Sequence, residues 1–319
     1  MQIIIKGEEM ETLTNVSTLQ RKPSTRRVMI DLLIALAPAT IAAVYFFGLN
    51  ALWVIATCVA ASVLSEFVFN LLCKRKQTVG DLTAAVTGLI LALSLPTTAT
   101  IWQCVVGSVF AIVVVKCAFG GLGYNFANPA ATARVMLLIA FSGNIAGGTM
   151  TRVAEITTGA TPLAVLGGAE GTLPSMINML VGNRGGAIGE TCAIALLVGG
   201  LYLAIRKVIS WQIPVAYIGS VFALSLALTG DVNKALYHTL GGGLLLGAIF
   251  MATDPVTSPK KWLGKVIFGL GCGIITVMIR FYGTYPEGVS FAILIMNIIN
   301  PYLNKIGEKK VVGGAENEG

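Results

Sequence analysis

Apolar residues run along this chain in ten long blocks separated by short polar breaks. The blocks fall at about 28–48, 50–73, 80–96, 100–119, 130–141, 187–206, 211–229, 234–252, 262–281 and 286–304. A helix rises about 1.5 Å per residue, so roughly 20 apolar residues cross a hydrocarbon layer about 30 Å thick. The pattern therefore predicts an all-α polytopic membrane protein with about ten transmembrane helices. Two blocks are marginal. The third is short and Thr-rich, and the fifth needs Asn128-Pro129 to cap a longer or broken helix.

Composition agrees with the pattern. Of 319 residues, 55% are hydrophobic and only 12% charged, with mean hydropathy +0.81. A soluble protein carries about a quarter charged residues. The length leaves no room for a soluble catalytic domain. Met1 to Ser24 is polar, and Arg26-Arg27 precedes the first block. That block is too long for a signal-peptide core and feeds another span, which predicts an uncleaved helix behind a cytoplasmic tail.

Charge then orients the spans. With the amino terminus inside, the inner loops hold Lys74-Arg75-Lys76, Arg206-Lys207, Lys260-Lys261 and the tail lysines Lys305, Lys309 and Lys310. The outer breaks at 48–50, 96–100 and 229–233 hold no Lys or Arg, as the positive-inside rule requires. Lys234 and Arg280, at outer span edges, are mild exceptions. The resulting division is a cytoplasmic tail (1–27), a first membrane half (28–141), an extracytoplasmic segment (142–186), a second membrane half (187–304) and a cytoplasmic tail (305–319). The net charge of +7 reflects this topology. No basic stripe with interleaved aromatics points to nucleic acid.

The halves echo one another. Val79-Gly80-Asp81-Leu82-Thr83-Ala84 resembles Ile188-Gly189-Glu190-Thr191-Cys192-Ala193, and Asn128-Pro129-Ala130 resembles Asp254-Pro255-Val256, although the spacings between the paired motifs differ. Duplicated halves with broken helices near the midplane are common in transporters. Charged residues within the blocks are Asp31, Glu66, Asp81, Lys116, Arg134, Glu190 and Asp254. Such groups are costly and mark ion paths or pairings. Asp31, Lys116 and Asp254 read as span-end residues reaching water, and Glu66 lies deeper. Asp81, Glu190 and Asp254 are the ion-path candidates, for Na+ or H+.

Other chemistry is sparse. The six cysteines form no C-x-x-C pair and lack iron–sulfur spacing. The lone histidine, His238, reads as a structural residue within a helix. Two glycine clusters, Gly120-Gly121-Leu122-Gly123 and Gly241-Gly242-Gly243, lack the strand–turn–helix context of a dinucleotide site. They read as close helix packing. The alternative is a discontinuous helix around a pore or flavin, with Tyr124, Asn125 and Asn128 as polar contacts.

The outer segment holds the stretch Thr157-Thr158-Gly159-Ala160-Thr161-Pro162-Leu163, poor as helix and poor as span. Thr158-Gly159-Ala160-Thr161 resembles the [ST]-G-A-T signature of flavoproteins that carry FMN through a phosphoester on the last threonine. With the ten spans and Pro162-Leu163 following, the chain resembles the RnfD/NqrB family of ion-pumping electron-transfer complexes. Glu155 stands where the family motif begins with Asp, which keeps the carboxylate. The resemblance implies covalent FMN on Thr161, with Gly159 and Ala160 giving clearance for a flavin transferase. Arg152 and Arg184 are the basic residues of this segment, and Arg152 is the nearer candidate for the FMN phosphate. The resemblance further implies a ferredoxin:NAD+ oxidoreductase complex in the cytoplasmic membrane. Its other subunits would bind ferredoxin and NAD. It also implies two five-helix inverted-repeat halves similar to urea and ammonium channels, and it allows a second, noncovalent flavin such as riboflavin. A flavin-free channel or secondary transporter, and a plain membrane scaffold, are the competing readings.

Overall fold

The computed structural model describes residues 24–145, 161–283 and 287–305. The described residues are helical, without strands. Four helices are long and apolar enough to cross a membrane: α1 (Thr25–Phe47), α2 (Leu49–Leu72), and two in the second half, Gln212–Thr229 and Trp262–Tyr282. Gly48 separates α1 from α2 at φ +71°, a conformation that a side chain disfavours.

The remaining apolar blocks fold as short or interrupted helices. Irregular backbone at 73–82 precedes α3 (Thr83–Ser94). The fourth block, α4 (Ile101–Val109), continues as a π-helix over Phe110–Cys117. Asn128 then caps α5 (Pro129–Ala140) by accepting from Ala131 N at 3.0 Å, with Pro129 at the first helical position. A single helical turn at Ser142–Ile145 follows, and later come two short helices, α6 (Pro162–Leu166) and α7 (Met176–Val181).

In the second half, α8 (Ala193–Ile205) starts later than its apolar block, because residues 183–192 are not helical. The long α9 (Gln212–Thr229) precedes α10 (Val232–Leu240), which stops at Gly241. Gly242 and Gly243, at φ +63° and +68°, turn the chain into α11 (Leu244–Leu246), which passes into a π-helix over Gly247–Met251. The long α12 (Trp262–Tyr282) and α13 (Val289–Lys305) complete the chain. The expected eighth span is thus two pieces around the glycine break. Asn128, the α5 cap, and Asp254-Pro255 each end or lie in the loop that follows a π-helical segment.

The halves interlock. α1 packs on α8, α2 lies beside α3 and α4, and α9 lies against α12. The stretch before α8 runs along the end of α3, with Ile188 N donating to Leu95 O (2.9 Å) and Gly189 N to Leu93 O (2.7 Å). Asn128 donates from Nδ2 to Met251 O (3.1 Å), while its own N–H donates to Asn297 Oδ1 (2.9 Å).

Small residues allow the closest approach. A Cβ on Gly269 of α12 would sit 2.8 Å from both Ala216 Cβ and Ile213 O of α9. Gly219 of α9 has open space around it. We expect Gly269→Val to lower the thermal unfolding midpoint in detergent, at a cost of about 1–3 kcal/mol from overpacking. Gly219→Ala should be neutral or mildly stabilising. Equal midpoints for the two variants would contradict this packing.

Candidate functional site

Two cavities lie along the shared surface of α3 and α5, one toward each end. The first is lined by Thr83, Thr87 and Ile90 of α3, by Asn128, Pro129 and Ala130 around the α5 cap, and by Lys116, Asn125, Thr253 and Asp254. It holds about 740 Å³ of open space, its mouth included. Polar groups gather at its rim. Asp254 accepts from Val256 N (3.1 Å) and Thr257 Oγ1 (3.2 Å), and Asn125 Nδ2 donates to Ala127 O (3.1 Å). Basic clusters stand nearby. Val208 and Ile209, just after Arg206-Lys207, are wall residues, and Arg75 donates to Cys117 O at 3.0 Å. We refer to this as the asparagine cavity.

The second, the arginine cavity, is lined by Ser94 of α3, Arg134 and Leu138 of α5, Glu190, Gly242, Gly243 and Glu287, among others. Arg134 is 2% exposed and pairs with Glu287 at 2.6 Å while donating to Ile145 O at 3.1 Å. Glu190 Oε1 accepts from Ala187 N at 2.5 Å, and a Cβ on Gly243 would lie 3.0 Å from Glu190 Oε2. One carboxylate thus lies over the start of α11, where backbone N–H groups and the helix dipole favour negative charge.

Two more arginines close the broken backbone beside it. Arg280 donates to His238 O, to Gly241 O (3.0 Å) and to Gly242 O (3.2 Å). Arg184 donates to Glu190 O (2.6 Å), Thr191 O (3.2 Å) and Leu240 O (2.7 Å). These carbonyls belong to helix ends and irregular chain, where an unpaired polar group in a dry interior costs several kcal/mol.

Thr161 stands at the head of α6. Its Oγ1 accepts from Ala164 N at 3.2 Å, an N-cap bond that leaves the hydroxyl half-buried and its proton unused by the cap. Leu163, buried, anchors this turn on the glycine break, since a Cβ on Gly241 would sit 3.2 Å from Leu163 Cγ and one on Gly242 would strike Leu163 Cδ1. The hydroxyl is therefore tied to the element that borders the arginine cavity.

The sequence-derived residues separate as follows. Thr158, Gly159, Ala160, Arg152 and Glu155 lie outside the described residues. Asp254 and Glu190 line different cavities, one each. Asp81 ends a 3-10 turn before α3, is partly exposed and lines neither, so the matched carboxylates Asp81 and Glu190 have unlike surroundings. Arg184 is committed to three carbonyls rather than turned toward the Thr161 segment. Lys116 is not a span-end residue reaching water. It is 3% exposed and paired with Glu66, itself 1% exposed, at 2.8 Å. His238 is buried in α10 and stacked on Phe281, with ring centroids 4.8 Å apart.

The match to a family model described as the NQR2, RnfD, RnfE family extends over residues 13–313. The chain belongs to the NQR2, RnfD, RnfE family. Among similar relatives is a subunit of the Na(+)-translocating ferredoxin:NAD(+) oxidoreductase complex of Acetobacterium woodii, 44% identical and covering 95% of each chain. Another is a subunit of the proton-translocating ferredoxin:NAD(+) oxidoreductase complex of Clostridium ljungdahlii, 37% identical over 93% of this chain and 96% of the relative. A subunit of the ion-translocating oxidoreductase complex of Methanosarcina acetivorans is 32% identical over 94% of this chain and 96% of its own.

Sequence reading alone gave no role to Glu287, Arg280 or Asn297 in this family member. Their signal was present but weak, as polar side chains inside or beside apolar blocks whose partners lie tens of residues away. The buried and the exposed ion pairs make a direct comparison. Arg134→Met strands a carboxylate at the arginine cavity and is expected to cost about 3–5 kcal/mol. Arg206→Met, which removes a half-exposed, solvent-screened partner of Asp31 at 3.2 Å, should cost far less. Chemical or thermal denaturation in detergent measures both, and adding Glu287→Gln to Arg134→Met should recover part of the loss. Equal losses for the two single variants would show that burial does not govern these pairs.

Proposed function

We propose that this chain is the FMN-carrying membrane subunit of an ion-translocating ferredoxin:NAD+ oxidoreductase, with the flavin joined through its phosphate to Thr161. The observation that carries the reading is the Thr161 hydroxyl at the head of a turn docked by Leu163. The hydroxyl is reachable, its residue is held, and Pro162 after it carries no N–H to compete for the site. The names of the relatives support the assignment to such a complex. A flavin transferase would attach FMN with net loss of water, and Arg152 is the candidate phosphate partner. The bound flavin supplies electron transfer, and the protein sets its position and surroundings.

The basic clusters near the asparagine cavity argue that this end faces the cytoplasm in a multi-pass inner-membrane topology, with both termini inside. Thr161 and the arginine cavity then lie toward the outer face. The asparagine cavity is our candidate for a second, noncovalent flavin such as riboflavin. Its wall is mainly apolar with a few converging polar groups (Thr83, Asn125, Asn128 and Asp254), as a flat ring with hydrogen-bonding edges requires. Ferredoxin and NAD would be handled by partner subunits. Na+ or H+ would pass by way of Asp254 and Glu190, with Asp81 retained as a third, peripheral candidate. The two stacked cavities also favour a second reading, a channel or secondary transporter without flavin.

Thr161→Ala should abolish flavin that survives denaturation, read as in-gel fluorescence and as intact mass. Thr161→Ser should retain part of it, because hydroxyl and cap both survive. Flavin still attached in the alanine variant would place the ester elsewhere, and an unmodified wild-type mass from cells with a competent transferase would favour the transporter reading. Glu190→Gln should leave flavin loading intact while reducing ion uptake driven by electron transfer in vesicles by tenfold or more. Unchanged uptake would remove Glu190 from the path.

A further inference from the structure

We propose that Lys116, governed by its counter-ion Glu66, sets the charge met by a flavin in the asparagine cavity and thereby its reduction potential. The inference rests on reading that cavity as a flavin site.

Lys116 is a wall residue of the cavity, yet the ion-path reading makes no use of it. Its ammonium carries three donors. One goes to Glu66 Oε1 (2.8 Å) and one to Thr83 Oγ1 (2.6 Å), and Thr83 is also in the wall. The third donor has no such bond. Glu66 does not line the cavity. It is held from behind, with Thr78 donating to Oε1 at 2.7 Å and Asn70 donating to Thr78 at 3.0 Å. Its other oxygen, Oε2, is buried without a partner. The pair is therefore built with the cation forward and the anion behind.

Local backbone supports the same orientation. Lys116 sits on the π-helical segment at the end of α4, where one extra residue turns later side chains by roughly 100° about the axis. Such segments are frequent at functional sites. The other ionisable group in the wall, Asp254, is of opposite charge and already accepts two hydrogen bonds.

Reduction places negative charge on a flavin, and a cation on the near side of a neutral pair favours it. Removing the counter-ion strengthens that field, and removing the whole pair abolishes it. A purely structural pair would alter stability and leave the potential where it was.

The test uses the full-length chain in detergent with Thr161→Ala, so that only noncovalent flavin is titrated, by spectroelectrochemistry at pH 6. Relative to this parent, Glu66→Gln should raise the reduced-to-oxidised ratio at fixed ambient potential about tenfold, about 59 mV for a one-electron step. Glu66→Gln combined with Lys116→Met leaves no unpaired buried charge and so should still fold. It should lower the ratio below that of the parent by a similar factor. Flavin retained with the parent's potential in both variants overturns the inference and spares the cavity reading. A parent chain that releases no flavin on denaturation overturns the cavity reading and the inference with it.

Discussion

Broken helices in an apolar medium must find partners for their exposed carbonyls and N–H groups, and this constraint organises the molecule. Water cannot serve them in hydrocarbon, so side chains must. The structure answers with long polar residues placed at each interruption. Arg280 covers the end of α10, Arg184 joins that end to the irregular chain before α8, and Asn128 reaches from the α5 cap to the end of the second π-helical segment. These residues are not decoration on a lipid-soluble bundle. Without them the breaks would be too costly to keep, and without the breaks neither cavity would exist.

The same residues set the character of the two cavities. Each cavity sits where helices stop, so backbone dipoles meet a carboxylate and a cationic side chain in one small volume. The two are unlike in charge. The asparagine cavity has one forward cation and one acid in its wall, whereas the arginine cavity mixes Glu190 and Glu287 with Arg134. Two pockets on one pair of helices thus differ in the charges they present.

Much of the fold was legible in the sequence because a membrane span is a local signal. Every apolar block contains helix, although the block at 234–252 was drawn through Gly241-Gly242-Gly243, where the helix breaks. The errors came where a residue's meaning depends on a distant one. Lys116 looks like a residue near the end of an apolar block, and only its meeting with Glu66, fifty positions earlier, makes it a buried ion. Arg184 sits in a polar loop by sequence, but the carbonyl of Leu240 claims it. The block at 187–206 hid a non-helical start, since hydropathy is indifferent to whether apolar chain is coiled. Of the [ST]-G-A-T word only Thr161 lies within the described residues, where it caps a helical turn.

The bonds between the halves bear on how the protein is made. Ile188 and Gly189 donate to carbonyls of Leu95 and Leu93, and Asn128 spends its cap on one half and its amide on the other. The first half is synthesised and inserted before its partners exist. Until the second half arrives, the end of α3 and the amide of Asn128 lack these bonds. Insertion is therefore sequential while native packing is shared.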